Sequence, residues 1–552
     1  MSALSNLPPG TEGPQNVVTR KVFTGPVGGT LTELSNEIGI FTITVNKSHN
    51  KVAYAKIAFK DGSMANRDFE LSNSDSLKPG KEIKIQLGYE GQADTIFQGI
   101  IVKHGIKVRQ RGASLLLIEA KDKAIKLTGA RKSAYHNNKT DSAVITELAG
   151  DLQKDIDPTP YTHKQLVQFN ASDWDFILTR AEANGMLVFT DDGKLVVKKP
   201  STTGTAACTV TYGDNIWEFE AETDTRNHAH QISSHSWNYA QQELETSGNS
   251  TVAFTDTGNF SSSDMGAVLE SDIKLVHPGN LTIDQLNDWT NAHVMRTHLG
   301  HAVGRVRIKG RADMKPGTLI TLAGVGDRFN GDVFVTGVLH HFQGNWQTDV
   351  QFGWREEWFY KKEDVMDHAA GGLLPGMNGL QIGLVKSVDD TEGQYRVQVH
   401  SPLITSGSNE GIWARVAAFD AGANRGAFFR PQVDDEVVLG FLNDDPREPI
   451  ILGYLHSNDT KTPPLPETEG ALQYGFISQE GNKLIFDDTN KSIKLSIPAG
   501  GGEKTMFMDA NTGAFELKDE NQNMIKMDAQ GITIQAGSGK NVTIAGTQVA
   551  IN

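Results

Sequence analysis

Three histidines, His228, His230 and His235, are spaced H-x-H-x4-H. Imidazoles at that spacing can form part of a metal-binding set. Alternation along a strand would put His228 and His230 on one face. No acidic or thiol ligand stands out beside them, so solvated or hydrogen-bonded histidines are the expected state. The adjacent pair His340–His341 would face opposite sides of a strand and cannot chelate together. Gly537-Ser-Gly-Lys540 looks like the end of a phosphate-binding loop. The glycine required five residues before Gly539 is Ile534, however, and Asn541 replaces the Ser or Thr, which leaves a turn. Acidic clusters (DDTN at 487–490, DENQN at 519–523, DAQG at 528–531) have the oxygens for a cation, but they also have the composition of capped turns, the expected role. Neither G-x-S-x-G nor H-E-x-x-H occurs. No catalytic residue, cofactor or metal site is therefore expected, and the function class narrows to structure and interaction.

Composition points the same way. The chain has 552 residues, 56 of them glycine, and is 38% hydrophobic, a balance common in turn-rich β proteins. Its net charge of −15 disfavours nucleic acid or an anionic membrane surface as the main partner. One cysteine, Cys208, excludes an intramolecular disulfide and a cysteine-rich metal centre. No apolar run approaches the length of a membrane-spanning helix. The opening MSALSNLPPGTEGPQ has neither a basic start nor an apolar core, so no Sec-type signal is expected, and folding is expected in a cytoplasm.

The strongest pattern lies at the C-terminal end, in pairs of apolar residues separated by one residue. The pairs are Leu484 with Phe486, Ile493 with Leu495, Met506 with Met508, Phe515 with Leu517, Ile525 with Met527, Ile532 with Ile534, Val542 with Ile544, and Val549 with Ile551. Each pair puts two side chains on one face of a short strand, and turn residues separate the pairs. Eight such strands are too few for a single-chain solenoid, and their bare edges invite pairing. If several copies wind together, each strand pairs with a neighbour's and the pairs meet on a shared axis, most naturally in a prism of three. The alternative is a hairpin meander packed on the preceding domain.

Upstream, residues 1–17 read as a flexible arm, 18–130 as a first β-barrel and 131–204 as a helical and hairpin connector. Helices are expected at Asp141–Asp155 and Ser172–Asn184, the second with Ser172 as N-cap. Residues 205–360 read as a second β-barrel containing a helix from Ile283 to His298, capped by Thr282 and Gln285. A linker (361–378), a compact five-stranded domain (379–458), a proline neck (459–470) and the repeat (471–552) follow. Five short strands in some eighty residues fit an OB-type barrel.

Within that domain, GIWARVAAFDAGANRGAFFRPQVDDEVVLGFLNDDPREPIILGYLHSNDTKTPP resembles the OB domain of VgrG proteins, the spikes of type VI secretion and related contractile injection systems. Trp413, Pro431, Val437–Leu442, Asp445–Pro446 and Pro449–Gly453 match the family's tryptophan strand, proline turn and two closing strands. FNASDWDFILTRAEANGMLVFTDDGKLVV is similar to the helix-hairpin between the two N-terminal barrels of that family, and GNKLIFDDTNKSIKLSI to the entry strands of its needle.

The resemblance implies a mainly β chain: two hub barrels with helical insertions, an OB collar, and an intertwined trimeric β-helix whose core is the sixteen residues paired above. It implies a homotrimer that caps an Hcp-like inner tube, contacts baseplate proteins, carries effector cargo as an optional passenger, and punctures a target envelope when a sheath contracts. Such a spike is assembled in the bacterial cytoplasm, is exported or injected with the particle, and touches the target membrane only transiently. The competing class is a phage-type tailspike that binds or cleaves carbohydrate; those use large single-chain β-helices with carboxylate pairs in a groove. The sequence stops one residue after the Val549 and Ile551 pair, so the prism is expected to end open. A small PAAR-type tip protein is expected to seat on Val549, Ile551 and Asn552 by β-augmentation.

Overall fold

The computed structural model describes residues 17–110, 112–238, 243–277, 281–354, 377–401, 411–445, 448–456, 462–465 and 472–550. Nearly all of the expected arm, nearly all of the linker, most of the neck, and Ile551 and Asn552 lie outside the described residues. The chain divides into two units, 1–367 and 368–552.

In the first unit, alternating sequences build long strands with one apolar face. Val22, Ile43, Val45, Ile57, Phe59, Ile83, Ile85 and Phe97 close one core, and Val306, Ile308, Ile320, Val335, Val350 and Phe352 another. These two β domains share one 13-stranded sheet. The junction is strand Gly331–Gln343, which pairs antiparallel with Asn345–Phe352 and also with Ile40–Ser48, setting His341 opposite Thr44 and Phe342 opposite Ile43.

The connector forms its own core around Trp174, Ile177, Leu178, Val188 and Val197. Its first helix runs Asp141–Leu148, shorter than expected, because Gly150 turns the backbone to φ 55°. The second runs Asp173–Ala183, with the Ser172 side chain accepting from the Asp175 N–H. In the second β domain the helix Ile283–Leu299 is entered through a Thr282/Gln285 capping box.

The connector's hairpin drives its tip, Asp191-Asp192-Gly193, into a knot of buried charge. Lys47, 3% exposed, lies 2.6 Å from Asp191 and 3.0 Å from Asp192. Lys315, from the second β domain, reaches Asp191 at 2.7 Å. The Asp122 carboxylate, also buried, accepts from the N–H groups of Ala124 and Gly193. Lys123 pairs with buried Glu82 at 2.9 Å. Four carboxylates thus meet three lysines, and the unbalanced charge is expensive to bury. Burial pushes Asp122 up to about 6 and raises Asp192 as well. Burial opposes the charge on Asp191 too, but Lys47 and Lys315 hold it at about 2.

An acid whose pKa is higher folded than unfolded favours the folded state when protonated. Buried His340, which burial holds at about 3, costs stability as pH falls below the ordinary histidine value, whereas Asp122's own contribution should grow as pH falls from about 7 towards 4, by at most roughly 3 kcal/mol. Asp256, which burial alone would raise but the His298 contact holds at about 2, pulls the other way only at lower pH. In Asp122→Asn the slope should lose Asp122's gain at low pH and the baseline drop, because one of the two N–H groups loses its acceptor. Thermal melts at constant ionic strength read both, and an unchanged slope would assign the effect to another group.

Candidate functional site: an apolar strand face

The second unit contains a closed five-stranded barrel and a seven-stranded meander. The barrel strands Gln381–Ser387, Val397–His400, Ile412–Val416, Glu436–Phe441 and Pro449–Tyr454 enclose Val385, Val397, Val399, Ala414, Val437, Leu439 and Ile451. The meander strands are Gln473–Ile477, Lys483–Asp487, Ser492–Ala499, Gly502–Asp509, Ala514–Lys518, Met524–Asp528 and Gly531–Gln535.

Residues directly opposite in an antiparallel pair share a face, and the meander's register lines the apolar pairs up. One column runs Leu484–Leu495–Met506–Leu517–Ile525–Ile534. The other runs Phe486–Ile493–Met508–Phe515–Met527–Ile532. Along the first column lies an open groove of about 780 Å³. Most of these side chains are half-buried or exposed, and Ile532 and Ile534 reach 71% and 58%. The opposite face carries charge, with Lys494–Glu503 at 2.7 Å and Lys526–Asp528 at 2.9 Å.

The single chain adds three facts to the sequence-based expectation. Each described strand pairs antiparallel with a neighbour in the same chain. Short turns explain this, since adjacent strands meet at little cost in loop entropy.

The second concerns the last rungs. Ile544, expected in the needle core, lies on no strand of the single chain and is 68% exposed in it, much as Ile532 is. Val542 and Val549 likewise lie on no strand and are exposed in the single chain. The partner of Val549, Ile551, lies outside the described residues. The physical reason is that strand pairing stops at Gln535 and a turn at Gly537–Lys540 follows, so nothing in the single chain covers Val542, Ile544 or Val549.

Third, one rung was missed: Tyr474 pairs with Phe486 and Phe476 with Leu484, extending both columns. Its signal was the alternation in QYGFI. Gly475 is required between the two aromatics because a Cβ there would meet the Leu484 carbonyl at 2.1 Å.

The chemistry-bearing residues fall elsewhere. His228 follows a short 3-10 helix and is buried, while His230 precedes the strand Gln231–Asn238 and is exposed, 3.4 Å from Asp272. The two histidines do not share a strand face, because the helical turn at 225–227 interrupts the alternation. His340 is buried at 3.0 Å from the Thr348 hydroxyl, while His341 approaches Thr44. Among the described residues no cluster of three or more His, Cys, Asp or Glu could hold a metal ion. Gly537–Lys540 is a turn in which the Lys540 N–H donates to the Gly537 carbonyl.

The meander's acidic residues are turn acceptors. Asp487 accepts from the backbone and side chain of Asn490, Asp509 from Thr512 and Asn511, and Asp519 from Asn523 and Asn521. These bonds hold all three carboxyls below the ordinary range.

Residues 15–344 match the family model described as the Alg8 N-terminal domain. Residues 381–456 match the type VI secretion system/phage-baseplate injector OB domain, and residues 497–552 the phage baseplate V C-terminal trimerisation domain. The type VI secretion system spike protein VgrG3 of Vibrio cholerae serotype O1 is 38% identical over 111 residues, 19% of this chain and 11% of its own length. Spike protein VgrG1b of Pseudomonas aeruginosa is 34% identical over 141 residues, 23% of this chain and 19% of its own. The chain thus spans under a fifth of the length of each of these curated relatives. A solved tail protein from Neisseria meningitidis MC58 is 14% identical with a TM-score of 0.45, covering 62% of this chain and 98% of its own.

If the acidic turns serve as caps, Asp509→Ala and Asp519→Ala should each lower the melting temperature. Millimolar calcium should shift neither the parent protein nor the variants. A calcium-dependent rise in the parent that both substitutions abolish would make the turns a cation site.

Proposed function

We propose a mechanical role from one premise: the chain belongs to the Alg8 N-terminal domain family, whose model matches residues 15–344 of its 552. Behind that region it carries the injector OB and trimerisation modules of a VgrG-type spike. Three copies form the hub and spike of a contractile injection machine. The N-terminal β domains (18–130 and 205–360, joined by 131–204) seat on an inner tube of the Hcp type and meet baseplate proteins. The OB domain (379–458) forms a collar below a neck at 459–470. The needle (471–552) is driven into the target envelope. The protein does this work without an active site, is assembled in the bacterial cytoplasm and leaves with the particle. Effector cargo can ride on it.

The observation that carries this reading is the uncovered apolar face of the meander, with two large side chains on each of seven strands. Fully burying one such side chain gains roughly 1.5–3 kcal/mol. The surface ion pairs of the other face contribute about 0–1 kcal/mol each. Association should therefore bury the apolar columns against one another and leave the charged faces in water. The carbohydrate-cleaving alternative has less support, since the meander's acidic residues already serve its own turns.

Light scattering should return three times the 60.1 kDa chain mass, and a value near one chain mass would overturn the reading. Leu517→Asp puts three uncompensated carboxylates at the centre of the face, each costing on the order of 3–5 kcal/mol, and should break the trimer. Lys526→Asp, on the charged face, should not. Deleting 466–552 should leave a soluble body with weakened association.

A PAAR-type tip protein is proposed to seat on Val549, Ile551 and Asn552. The outer edge of strand Gly531–Gln535 is unpaired among the described residues and supports addition of further strand at that end. Ile551→Asp should keep the trimer and lose the tip protein in a pull-down; retention of the tip would place its contact elsewhere.

A further inference from the structure

Between the OB strands Ile412–Val416 and Glu436–Phe441 the chain throws out an arm. Its hairpin pairs Ala421 with Gly426 and Gly422 with Arg425, and the Ala427 N–H donates to the Asp420 carbonyl. The hairpin's ion pair is internal, with Arg425 Nη1 2.6 and 2.7 Å from the two Asp420 carboxylate oxygens. On either side of the Asp420/Ala427 pair stand Phe419 and Phe428, at 96% and 77% exposure. Single exposed apolar residues are ordinary. Two phenyl rings beside one hairpin rung, next to an Asp420–Arg425 pair that satisfies its own charge, form a patch.

The same domain has a matching surface. Gly440, on strand Glu436–Phe441, is flanked by two exposed leucines. A Cβ built on it would lie 3.1 Å from Leu452 Cδ1 and 4.0 Å from Leu380 Cδ2. With no side chain at Gly440, the outside of the barrel there is a shallow dish with leucine walls, and its own chain leaves Leu380 and Leu452 more than half exposed.

We propose that the arm is a clasp: Phe419 and Phe428 of one copy seat in the Leu380–Gly440–Leu452 dish of the next copy. The occupant is a second copy of this chain because knob and dish lie on one barrel and, among the described residues, neither is filled within it. The arm also continues the assembly face. Phe429 stacks on Phe476, the first rung of the meander, at 5.5 Å and 14°, and its carbonyl accepts from the Tyr454 hydroxyl at 2.8 Å. The contact joins two different patches, so it is heterologous and runs head to tail. Such contacts close when the rotation between copies divides a full turn. The clasp rests on the threefold association proposed above, which supplies that rotation. An aromatic anchor in a small apolar pocket is also the arrangement that concentrates interface energy.

The test uses the full chain with Cys208→Ser, which removes its one cysteine. Phe419→Cys with Leu452→Cys, and separately Phe428→Cys with Leu380→Cys, should on mild oxidation give covalent dimers and trimers on a non-reducing denaturing gel. Each single-cysteine variant should run as a monomer. A double-cysteine protein that is trimeric by light scattering but yields no intermolecular cross-link from either pair would overturn the clasp and spare the trimer. A cross-link that runs as a monomer would show the arm folding back on its own barrel, again overturning the clasp. A monomeric mass before oxidation would overturn the threefold reading and the clasp with it.

Discussion

Everything in the second unit depends on a register constraint. A slip of one residue in any of the six meander pairings would move that strand's apolar pair onto the charged face. No slip occurs between Gln473 and Gln535, and the two columns stay continuous from Phe476 to Ile534 and from Tyr474 to Ile532. The turns enforce this. Asp487, Asp509 and Asp519 each fold back on N–H groups two to four residues ahead, which fixes the number of residues spent in each reversal. The longer strands Ser492–Ala499 and Gly502–Asp509 keep the same pairing through the glycines at 500–502. Local hydrogen bonds at the edges thus decide a property of the whole face.

The first unit is held differently. Its joints are polar and buried. The Asp191–Asp192 tip ties lysines from both β domains to the connector, and Asp141 in the connector accepts from Arg180, His163 and Asn184 at once. Ion pairs of this kind add little net stability against an apolar replacement, but they permit one geometry only. That fits the load-bearing role proposed above, and the apolar columns fit the proposed association of copies.

Much of this is legible in the sequence, for identifiable reasons. Alternation of period two survives in any strand, so the paired apolar residues from Leu484 to Ile534 can be read directly. At Val542 and Ile544 the same alternation is present, but no strand of the single chain takes it up. Capping boxes are local, so the helix after Thr282 starts where its sequence says it should. Which strand lies beside which is not legible, because a meander and an interwound prism ask for the same alternation. Tyr474 and Phe476 escape notice because the residue between them is glycine, which reads as a turn. The knot around Lys47 is invisible because its members are spread from position 47 to position 315 and each, taken alone, reads as an ordinary surface charge. The Phe419/Phe428 arm hides for a related reason: a Gly-rich connector gives no hint that its flanking aromatics face outward.

The strand Ile40–Ser48 has its own chain partner on one side early, since Tyr54–Lys60 follows at once. Its other side waits for Gly331–Gln343, with Thr44 and His341 separated by 297 positions. At a ribosomal pace of roughly 5–20 residues per second, that interval is on the order of 15 to 60 seconds. For that time the nascent chain holds out a bare β-edge carrying Ile43 and Val45, beside a half-built core. The continuous sheet that unites the mature body therefore sets its order of birth. The N-terminal region cannot finish before the residues near 343 have emerged, and until then its safety depends on slow diffusion of like chains, or on a chaperone that covers the edge.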